Sequence, residues 1–133
     1  MSERLKVCIV DDNQYFRDGL RFYIETQTNW DILCEHSSGM EFLKEKKEEL
    51  PNIVFMDINM PGMNGVETTS RFFENIKDPN VKVIALTMYS SEYHKPTLIE
   101  ANFSACVLKR DVYKELKSAV DNVINGELYF NIK

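Results

Sequence analysis

Five short apolar runs alternate along the chain with segments whose apolar residues recur at helical spacing. This alternation predicts repeated βα units built around a mostly parallel sheet. The predicted strands are residues 5–10, 31–36, 53–56, 81–86 and 104–108. The predicted helices are 14–27, 40–48, an amphipathic helix through 72–76, 97–101 and 112–124, with Asn13 and Asp111 as the expected caps of the first and the last. The first run is apolar at nearly every position, which is typical of a central strand covered on both faces. We therefore expect an α/β fold with helices on both sides of the sheet.

Length and charge limit the possible functions. The 133 residues match the usual size of one domain, and no repeat or shift in composition marks a second one. The net charge of -5 gives no basic surface of the kind that nucleic-acid binding requires, so we expect no direct DNA contact by this segment. No signal-peptide pattern appears, and no apolar stretch approaches the roughly 20 residues that a membrane span needs. We expect a cytoplasmic protein with no membrane partner.

The three cysteines give no sign of a reactive or metal-binding site. Cys8, Cys34 and Cys106 all lie in strand-like apolar segments, where a reduced thiol usually packs as a small hydrophobic group. There is no CxxC motif and no cysteine–histidine ligand spacing, and His36 and His94 are far apart in sequence. The sequence predicts buried, inert thiols.

Polar residues follow four of the five predicted strands. Asp11 and Asp12 follow the first strand, Asp57 the third, Thr87 the fourth and Lys109 the fifth. The carboxyl ends of parallel strands share one edge of the sheet, so these side chains are expected to converge on a single crevice. Each has an ordinary explanation alone, such as a turn, a helix cap, packing or a solvated lysine. The occurrence of all five at strand ends favours a site.

The chemistry of this set favours metal-dependent phosphoryl transfer. Crowded carboxylates repel one another and usually recruit a cation, and a set with only oxygen ligands suits Mg²⁺. Asp12 and Asp57 are candidates for direct ligands, with Asp11 holding a metal-bound water. Asp57 is the candidate nucleophile because it stands alone at a strand end beside a loop rich in turn residues. Lys109 and Thr87 are candidates for contacts with phosphoryl oxygens.

Four segments carry a resemblance to a known family. They are VDDN at 10–13, MDINMPGMNG at 56–65, ALT at 85–87 and VLK at 107–109. With these segments the chain closely resembles the receiver domain of two-component response regulators. The resemblance implies a flavodoxin-like (βα)5 domain over residues 1–133, with a parallel five-stranded sheet of order 2-1-3-4-5. It also implies a core of about 5–125 and a tail or linker at 126–133.

The resemblance assigns a role to each site residue. It implies that Asp57 accepts a phosphoryl group from a sensor histidine kinase or a phosphotransfer protein, and that Thr87 and Lys109 bind that group. The implied Mg²⁺ ligands are Asp11, Asp12, Asp57 and the backbone carbonyl of Asn59. The implied function is a signalling switch with chemistry only on itself, not an enzyme that turns over a metabolite.

The resemblance also implies what such a switch controls. Phosphorylation would change the surface formed by the fourth helix, fifth strand and fifth helix, and would act on an output domain or partner, with homodimerisation possible. The segments LTMY at 86–89 and INGELY at 124–129 look most like receivers that carry a LuxR-type helix-turn-helix output. Such an output would follow Lys133, would contact DNA itself, and would make the protein a transcriptional regulator. The resemblance leaves two alternatives open, a single-domain receiver or the receiver portion of a longer regulator.

Two positions depart from the family pattern. Cys106 stands where receivers usually carry an aromatic residue that moves inward when the threonine engages phosphate. Our hypothesis is that Thr87 still moves and that backbone shifts after the fourth strand carry the signal, with Tyr89 contributing. Asn102-Phe103 replaces a frequent Gly-Ala pair, and asparagine tolerates the left-handed conformation that the turn requires.

Two functions from other classes are weaker alternatives. An aspartate-nucleophile phosphatase needs an acidic group two residues beyond the nucleophile, where this chain has Asn59. A flavin-binding module needs a phosphate-cradling loop after the first strand, where Asp11 and Asp12 would repel a phosphate unless a metal intervened.

Overall fold

The computed structural model describes residues 4–45, 48–90, 94–130 and 132. Its strands are β1 (Lys6–Val10), β2 (Asp31–His36), β3 (Ile53–Asp57), β4 (Lys82–Thr87), β5 (Ala105–Leu108) and β6 (Tyr129–Phe130). Its helices are α1 (Gln14–Gln27), α2 (Gly39–Lys44), α3 (Gly65–Asn75), α4 (Lys95–Glu100) and α5 (Val112–Ile124), and a 3-10 turn (Lys109–Asp111) precedes α5. The predicted alternation of strands and helices is confirmed.

All neighbouring strands of the sheet run parallel, in the order β2-β1-β3-β4-β5-β6. The predicted order of the first five strands is confirmed, but the prediction of only five strands is wrong. The chain turns after α5 and pairs Tyr129 with Ala105 and Phe130 with Cys106. Tyr129 also donates its hydroxyl to Glu115 Oε1 at 2.7 Å, which fixes the added strand against α5.

Two hydrophobic cores fill the space on the two faces of the sheet. One contains Leu20 and Ile24 of α1 together with the buried face of α5, and the other contains Phe42, Phe72 and Leu98 from α2, α3 and α4. Strand residues alternate between the cores, with Ile9 in the first and Val10 in the second. The expectation of helices on both faces is confirmed. Because both faces of the sheet are buried, the carboxyl ends of its strands are held in fixed positions along one edge of the sheet.

Local capping explains where several helices begin and end. Asn13 Oδ1 accepts a hydrogen bond from Phe16 N at 3.1 Å, which confirms the expected cap of α1. Asp111 precedes α5 but makes no side-chain cap hydrogen bond, because the 3-10 turn leads directly into the helix. At the other end, Gly126 has φ 84° and Glu127 N donates to Asn122 O at 2.9 Å. This pattern closes α5 as a Schellman motif.

Two further expectations concern single segments. Asn102 has φ 74°, so the asparagine does adopt the left-handed conformation before β5. The second helix was expected over 40–48, but α2 ends at Lys44, and Lys46 and Lys47 lie outside the described residues. Glu45 caps the end of α2, and its side chain contacts His36.

The prediction of inert, reduced cysteines is wrong for two of the three. Cys8 of β1 and Cys34 of β2 form a disulfide. The pairing of these strands shifts between Val7 and Cys8, so that Cys8 lies opposite Cys34 instead of Leu33. Cys106 is a free, buried thiol, and burial raises its pKa to about 12, as expected for a packing residue.

The structure also bears on membrane insertion. Within the described ranges, no helix combines the length and the apolar character needed to cross a bilayer.

Candidate functional site

The predicted acidic residues converge at the carboxyl edge of the sheet. Asp11 and Asp12 directly follow β1, and Asp57 is the last residue of the neighbouring strand β3. One carboxylate oxygen from each of the three lies within 4.8 Å of the others. Asp11 and Asp57 are buried, whereas Asp12 is exposed. The cluster is therefore buried on the side of Asp11 and Asp57 and accessible to solutes on the side of Asp12.

Lys109 supplies the positive charge of the cluster. It follows β5, and its Nζ lies 2.6 Å from Asp11 Oδ2 and 3.4 Å from Asp57 Oδ1, with only 8% of the side chain exposed. The same ammonium lies 4.4 Å from the centre of the Phe16 ring of α1. An ammonium over a ring face is attracted electrostatically, so Phe16 helps to hold Lys109 over the acidic cluster.

Backbone contacts fix Asp11 in place. Its Oδ1 accepts a hydrogen bond from Asn13 N at 2.8 Å, and its carbonyl accepts one from Arg17 Nη1 at 2.6 Å. Its buried Oδ2 faces Lys109 but receives no hydrogen bond of favourable direction within the described part of the chain. The Lys109 ammonium, 2.6 Å away, offsets the charge of this oxygen, and a divalent cation in the cluster could also coordinate it directly.

The ionised form of the Asp57 carboxyl group is destabilised by its surroundings. Burial, followed by the negative charge of Asp11, raises the pKa of the Asp57 carboxyl from 3.8 to about 7. Lys109 opposes this shift, and the hydrogen bond and charge of Asp12 add to it. The single ammonium does not compensate for the desolvation and repulsion of the carboxylates. The residues present thus fit a hard divalent cation with oxygen ligands.

Thr87 lies at the end of β4 and is fully buried. Its hydroxyl donates to the carbonyl of Tyr89 at 3.2 Å, which ties the strand end to the segment that leads toward α4. Next to it, Ile58 N donates to Leu86 O at 3.0 Å, so the loop after Asp57 is joined to β4. These contacts place Thr87 at the junction between the site edge and the α4 side of the domain.

Three other residues singled out from the sequence lie in different surroundings. Asn59 is exposed in the loop between β3 and α3, where Ile58 and Met60 are buried on either side of it. Tyr89 is 59% exposed. Cys106 belongs to the core on the α4 side, with 1% of its surface exposed. The roles assigned to these residues remain predictions.

The loop after Asp57 depends on a glycine. Gly65 N donates to Ile58 O at 2.9 Å, and a Cβ on Gly65 would lie 2.1 Å from the carbonyl oxygen of Asp57. We expect Gly65→Ala to lower the free energy of unfolding by about 2–4 kcal/mol, because backbone must move to relieve the overlap. Chemical denaturation measures this loss.

Gly62→Ala is the matched control for this substitution. Gly62 lies in the same loop with φ 77°, and a Cβ there would meet no atom of the described residues within 4 Å. Only the cost of the left-handed conformation applies, so a loss of about 1 kcal/mol is expected. A Gly65→Ala variant as stable as Gly62→Ala would show that the backbone of the loop can move away from the added Cβ at little cost in free energy.

Phe16 and Arg17 support the site and were not identified from the sequence. Both lie in the first turns of α1, within six residues of Asp11. The sequence feature that could have pointed to them is the predicted cap at Asn13. The cap sets where α1 begins, and this determines which residues of its first turns face the end of β1. Their contacts with Lys109 and with the Asp11 carbonyl still require the tertiary structure.

Comparison with known proteins identifies the family of this fold and site. The family model for the response regulator receiver domain matches residues 7–121. The chain belongs to the response regulator receiver domain family. Among curated relatives, the receiver is 29% identical to the response regulator protein VraR of Staphylococcus saprophyticus over 126 residues. That match covers 95% of this chain and 59% of VraR.

A second curated relative is the uncharacterized transcriptional regulatory protein YhcZ of Bacillus subtilis. It is 34% identical over 112 residues, covering 84% of this receiver and 51% of YhcZ. The chain thus spans between half and three fifths of the length of these relatives.

Solved structures agree with this assignment. A two-component response regulator of the LuxR family from Aurantimonas superposes with a TM-score of 0.84 at 26% identity, covering 96% of this receiver and 89% of that chain. The response regulator domain of Thermotoga maritima CheB superposes with a TM-score of 0.78 at 22% identity, covering 92% and 98%. The second likeness is one of fold alone. Together they establish a flavodoxin-like receiver fold with LuxR-family neighbours.

Proposed function

We propose that this receiver is a cytoplasmic, phosphorylation-operated switch in which Asp57 accepts a phosphoryl group from a sensor histidine kinase or a phosphotransfer protein. The observation that carries the proposal is the buried Asp57 carboxylate, clustered with Asp11 and Asp12 and faced by the Lys109 ammonium. A structural cluster of three carboxylates would be expected to carry more cations than one lysine. Binding of a divalent metal ion would explain the imbalance, and the metal ion and Lys109 together could then neutralise an incoming phosphoryl group.

The residues that would hold a metal are defined. Asp11, Asp12, Asp57 and the backbone carbonyl of Asn59 would bind Mg²⁺, whose all-oxygen preference they meet. The bound ion supplies positive charge that neutralises the phosphoryl oxygens. Asn13 N and Arg17 Nη1 hold the side chain and the carbonyl of Asp11, so this ligand is already oriented.

The transfer step uses the Asp57 carboxylate as nucleophile. A carboxylate oxygen of Asp57 forms a bond to phosphorus while the bond from phosphorus to the donor's imidazole nitrogen breaks, and the imidazole takes a proton. The product is an acyl phosphate on Asp57 and a neutral donor histidine. Lys109 Nζ, 3.4 Å from Asp57 Oδ1, stabilises negative charge on the transferred group.

Thr87 links the phosphoryl group to the rest of the domain. Its hydroxyl donates to the Tyr89 carbonyl, and transfer of that hydrogen bond to a phosphoryl oxygen would release this tie. The release would change the segment that precedes α4 and so the α4–β5–α5 face. Cys106 packs against the α4 side of the core but is too small for an aromatic rotamer switch, so the backbone after β4 would carry the change; residues 91–93 of that segment lie outside the described residues.

We expect Thr87→Ala to separate phosphorylation from switching. The variant should still accept a phosphoryl group, because Asp57 and Lys109 are unchanged. It should lose most of the phosphorylation-dependent change in amide hydrogen exchange over α4 and β5, since the hydroxyl that exchanges partners is missing. Mass-spectrometric hydrogen exchange before and after phosphorylation measures the change.

Thr87→Ser provides the control for the loss of the hydroxyl. It retains the donor and should retain the exchange response. An unchanged response in Thr87→Ala would show that the signal bypasses Thr87.

The longer relatives and the LuxR-family structure support a proposal for the wider role. We propose that the receiver controls a LuxR-type helix-turn-helix output beyond Lys133 and so regulates transcription, with homodimerisation on phosphorylation as one route. DNA contact would belong to that output, because this segment carries a net charge of -5. The receiver's own chemistry is limited to gaining and losing its phosphoryl group.

The decisive experiment is intact-protein mass spectrometry after incubation with acetyl phosphate, with Mg²⁺ and with chelator. We expect one phosphoryl increment that requires the metal. A control receiver of known activity is labelled in parallel. If that control is labelled and this chain is not, the proposed phosphoacceptor function is rejected for small-molecule donors.

A further inference from the structure

A second group of metal-ligating side chains lies at the β2 edge of the sheet. Cys34 and His36 are two residues apart on β2, so their side chains project from the same face of the strand. Glu45 caps α2, the helix that follows. The Cys34 sulfur, an imidazole nitrogen of His36 and a carboxylate oxygen of Glu45 all lie within 4.8 Å of one another. The acidic cluster at the carboxyl edge uses none of these atoms.

The spacing of these three atoms suits a tetrahedral ion. Bonds of about 2.0–2.3 Å to zinc separate neighbouring ligand atoms by about 3.3–3.8 Å, which small side-chain rotations reach from the observed cluster. His36 Nε2 already contacts Glu45 Oε2 directly. An ion between them would replace a contact between two groups that can both be ligands.

The surroundings orient the ligands and leave an entry path. The ring of His36 packs edge-on against Phe42 with centroids 5.9 Å apart, and its side chain is only 15% exposed. Its backbone carbonyl accepts a hydrogen bond from Asp11 N at 3.1 Å. The Glu45 side chain is 41% exposed. An ion would therefore approach from the Glu45 side toward a held imidazole.

The donor types select a different metal from the acidic cluster. Sulfur, nitrogen and oxygen ligands suit a borderline-soft ion such as Zn²⁺, whereas Asp11, Asp12 and Asp57 offer only oxygen. Three protein ligands leave a fourth position for water. The common alternative for a histidine and a glutamate at a strand edge is a surface ion pair, which does not involve the nearby sulfur.

The disulfide decides whether the sulfur is available. Cys34 is bonded to Cys8, its register partner on β1. A disulfide sulfur has no thiolate to offer, so the third ligand appears only after reduction. A dithiol reductant supplies the electrons and becomes a cyclic disulfide, while Cys8 and Cys34 each gain a proton. The Cys34 thiol then releases its proton to solvent when it binds a metal.

We propose that Cys34, His36 and Glu45 form a binding site for Zn²⁺ or a similar divalent ion, and that the Cys8–Cys34 disulfide closes this site by withdrawing the sulfur ligand. The site links the end of α2 to β2. It does not depend on the phosphoacceptor role of Asp57.

Cobalt titration tests the site, because Co²⁺ bound to a thiolate gives a charge-transfer absorption in the near ultraviolet. The chain is reduced with a water-soluble phosphine, which leaves as phosphine oxide, and excess Mg²⁺ fills the acidic cluster. We expect one equivalent of Co²⁺ to produce the absorption and Zn²⁺ to abolish it by displacement. The oxidised chain should show no such absorption.

Substitutions identify the ligands. Cys34→Ser should remove the charge-transfer absorption, and His36→Gln and Glu45→Gln should each weaken Co²⁺ binding at least tenfold. Cys8→Ser should give the absorption without reductant, because Cys34 then lacks its disulfide partner. Cys106→Ser is the matched control and should titrate as the unsubstituted chain does.

Several results would overturn the proposal. These are the absence of a charge-transfer absorption in the reduced chain, its survival in Cys34→Ser, and unchanged affinity in both His36→Gln and Glu45→Gln. If the Cys34→Ser variant fails to fold, a second measurement on the unsubstituted chain still tests the site. In the reduced, unsubstituted chain Zn²⁺ should protect Cys34 from alkylation by iodoacetamide, and equal alkylation with and without Zn²⁺ rejects the site.

Discussion

Replacing Asp57 with asparagine is expected to abolish Mg²⁺-dependent incorporation of phosphate from acetyl phosphate. The amide lacks the anionic oxygen that attacks phosphorus, and no other carboxylate of the cluster stands in the same position at the end of β3. Intact mass should show no increment in Asp57→Asn under conditions that label the unsubstituted chain. Borohydride reduction of the labelled chain, followed by peptide mapping, should convert Asp57 to homoserine.

Asp121→Asn is the control for the change in charge. Asp121 is exposed on α5, so its loss alters the net charge equally without touching the site. Labelling should be unchanged. A full increment in Asp57→Asn would transfer the acceptor role to another residue and reject the mechanism.

Saturating Mg²⁺ is expected to stabilise the unsubstituted chain by roughly 1–3 kcal/mol, because the ion binds the folded cluster and not the unfolded chain. For a domain of this size this corresponds to a rise in Tm of several degrees. Asp57→Asn removes a ligand charge and should lose most of the effect. Thermal unfolding with Mg²⁺ and with chelator measures both.

The same substitution should stabilise the chain when no metal is present. The pKa of Asp57 is raised to about 7 in the folded state, so between about pH 4 and 7 the folded chain holds more protons than the unfolded chain. Stability of the unsubstituted chain therefore falls as the pH rises through this range. At pH 7 we expect Asp57→Asn to be more stable by roughly 1–3 kcal/mol, after allowance for water at the open side of the cluster.

The pH dependence separates this cause from a general effect of lost charge. The difference between Asp57→Asn and the unsubstituted chain should shrink as the pH falls toward about 4 and vanish near about pH 3, below the unfolded pKa, where Asp57 is protonated in both states. Asp121→Asn should show no comparable difference at either pH. The Tm of the unsubstituted chain could instead be insensitive to Mg²⁺ and, in chelator, to pH. This result would mean that repulsion between the clustered carboxylates does not destabilise the fold.

Local patterns predicted the parts of the fold that depend on neighbouring residues. The cap at Asn13 and the apolar spacing of α1 lie within one helix, and both were confirmed. Asp111 does occupy the predicted cap position of α5, but its side chain makes no capping hydrogen bond within the described residues, because a 3-10 turn leads into the helix. The strand β6 was missed because two residues carry no periodicity, and only their pairing with β5 reveals them.

The two polar clusters differ in how far sequence could predict them. Strand ends of a parallel sheet meet by topology, so the convergence of Asp11 and Asp57 required only the order of the strands. The contact of Cys34 with Cys8 depends on a register shift in the β1–β2 pair, which passes over Leu33. No local pattern marks that shift, and without it Cys8 would lie opposite Leu33. Sequence reasoning therefore found the first cluster and missed the second.

The short strand β6 also determines which backbone groups lie at the border of the sheet. Without it, the hydrogen-bonding groups of β5 would be open to pairing with a strand from another molecule, and all four residues of β5 are buried and apolar. Uncovered apolar edges of this kind promote strand-to-strand aggregation. The two residues of β6, held by the Tyr129 hydroxyl on Glu115, thus cover the Ala105 and Cys106 part of this edge and shorten the stretch of β5 to which a strand of another molecule could add.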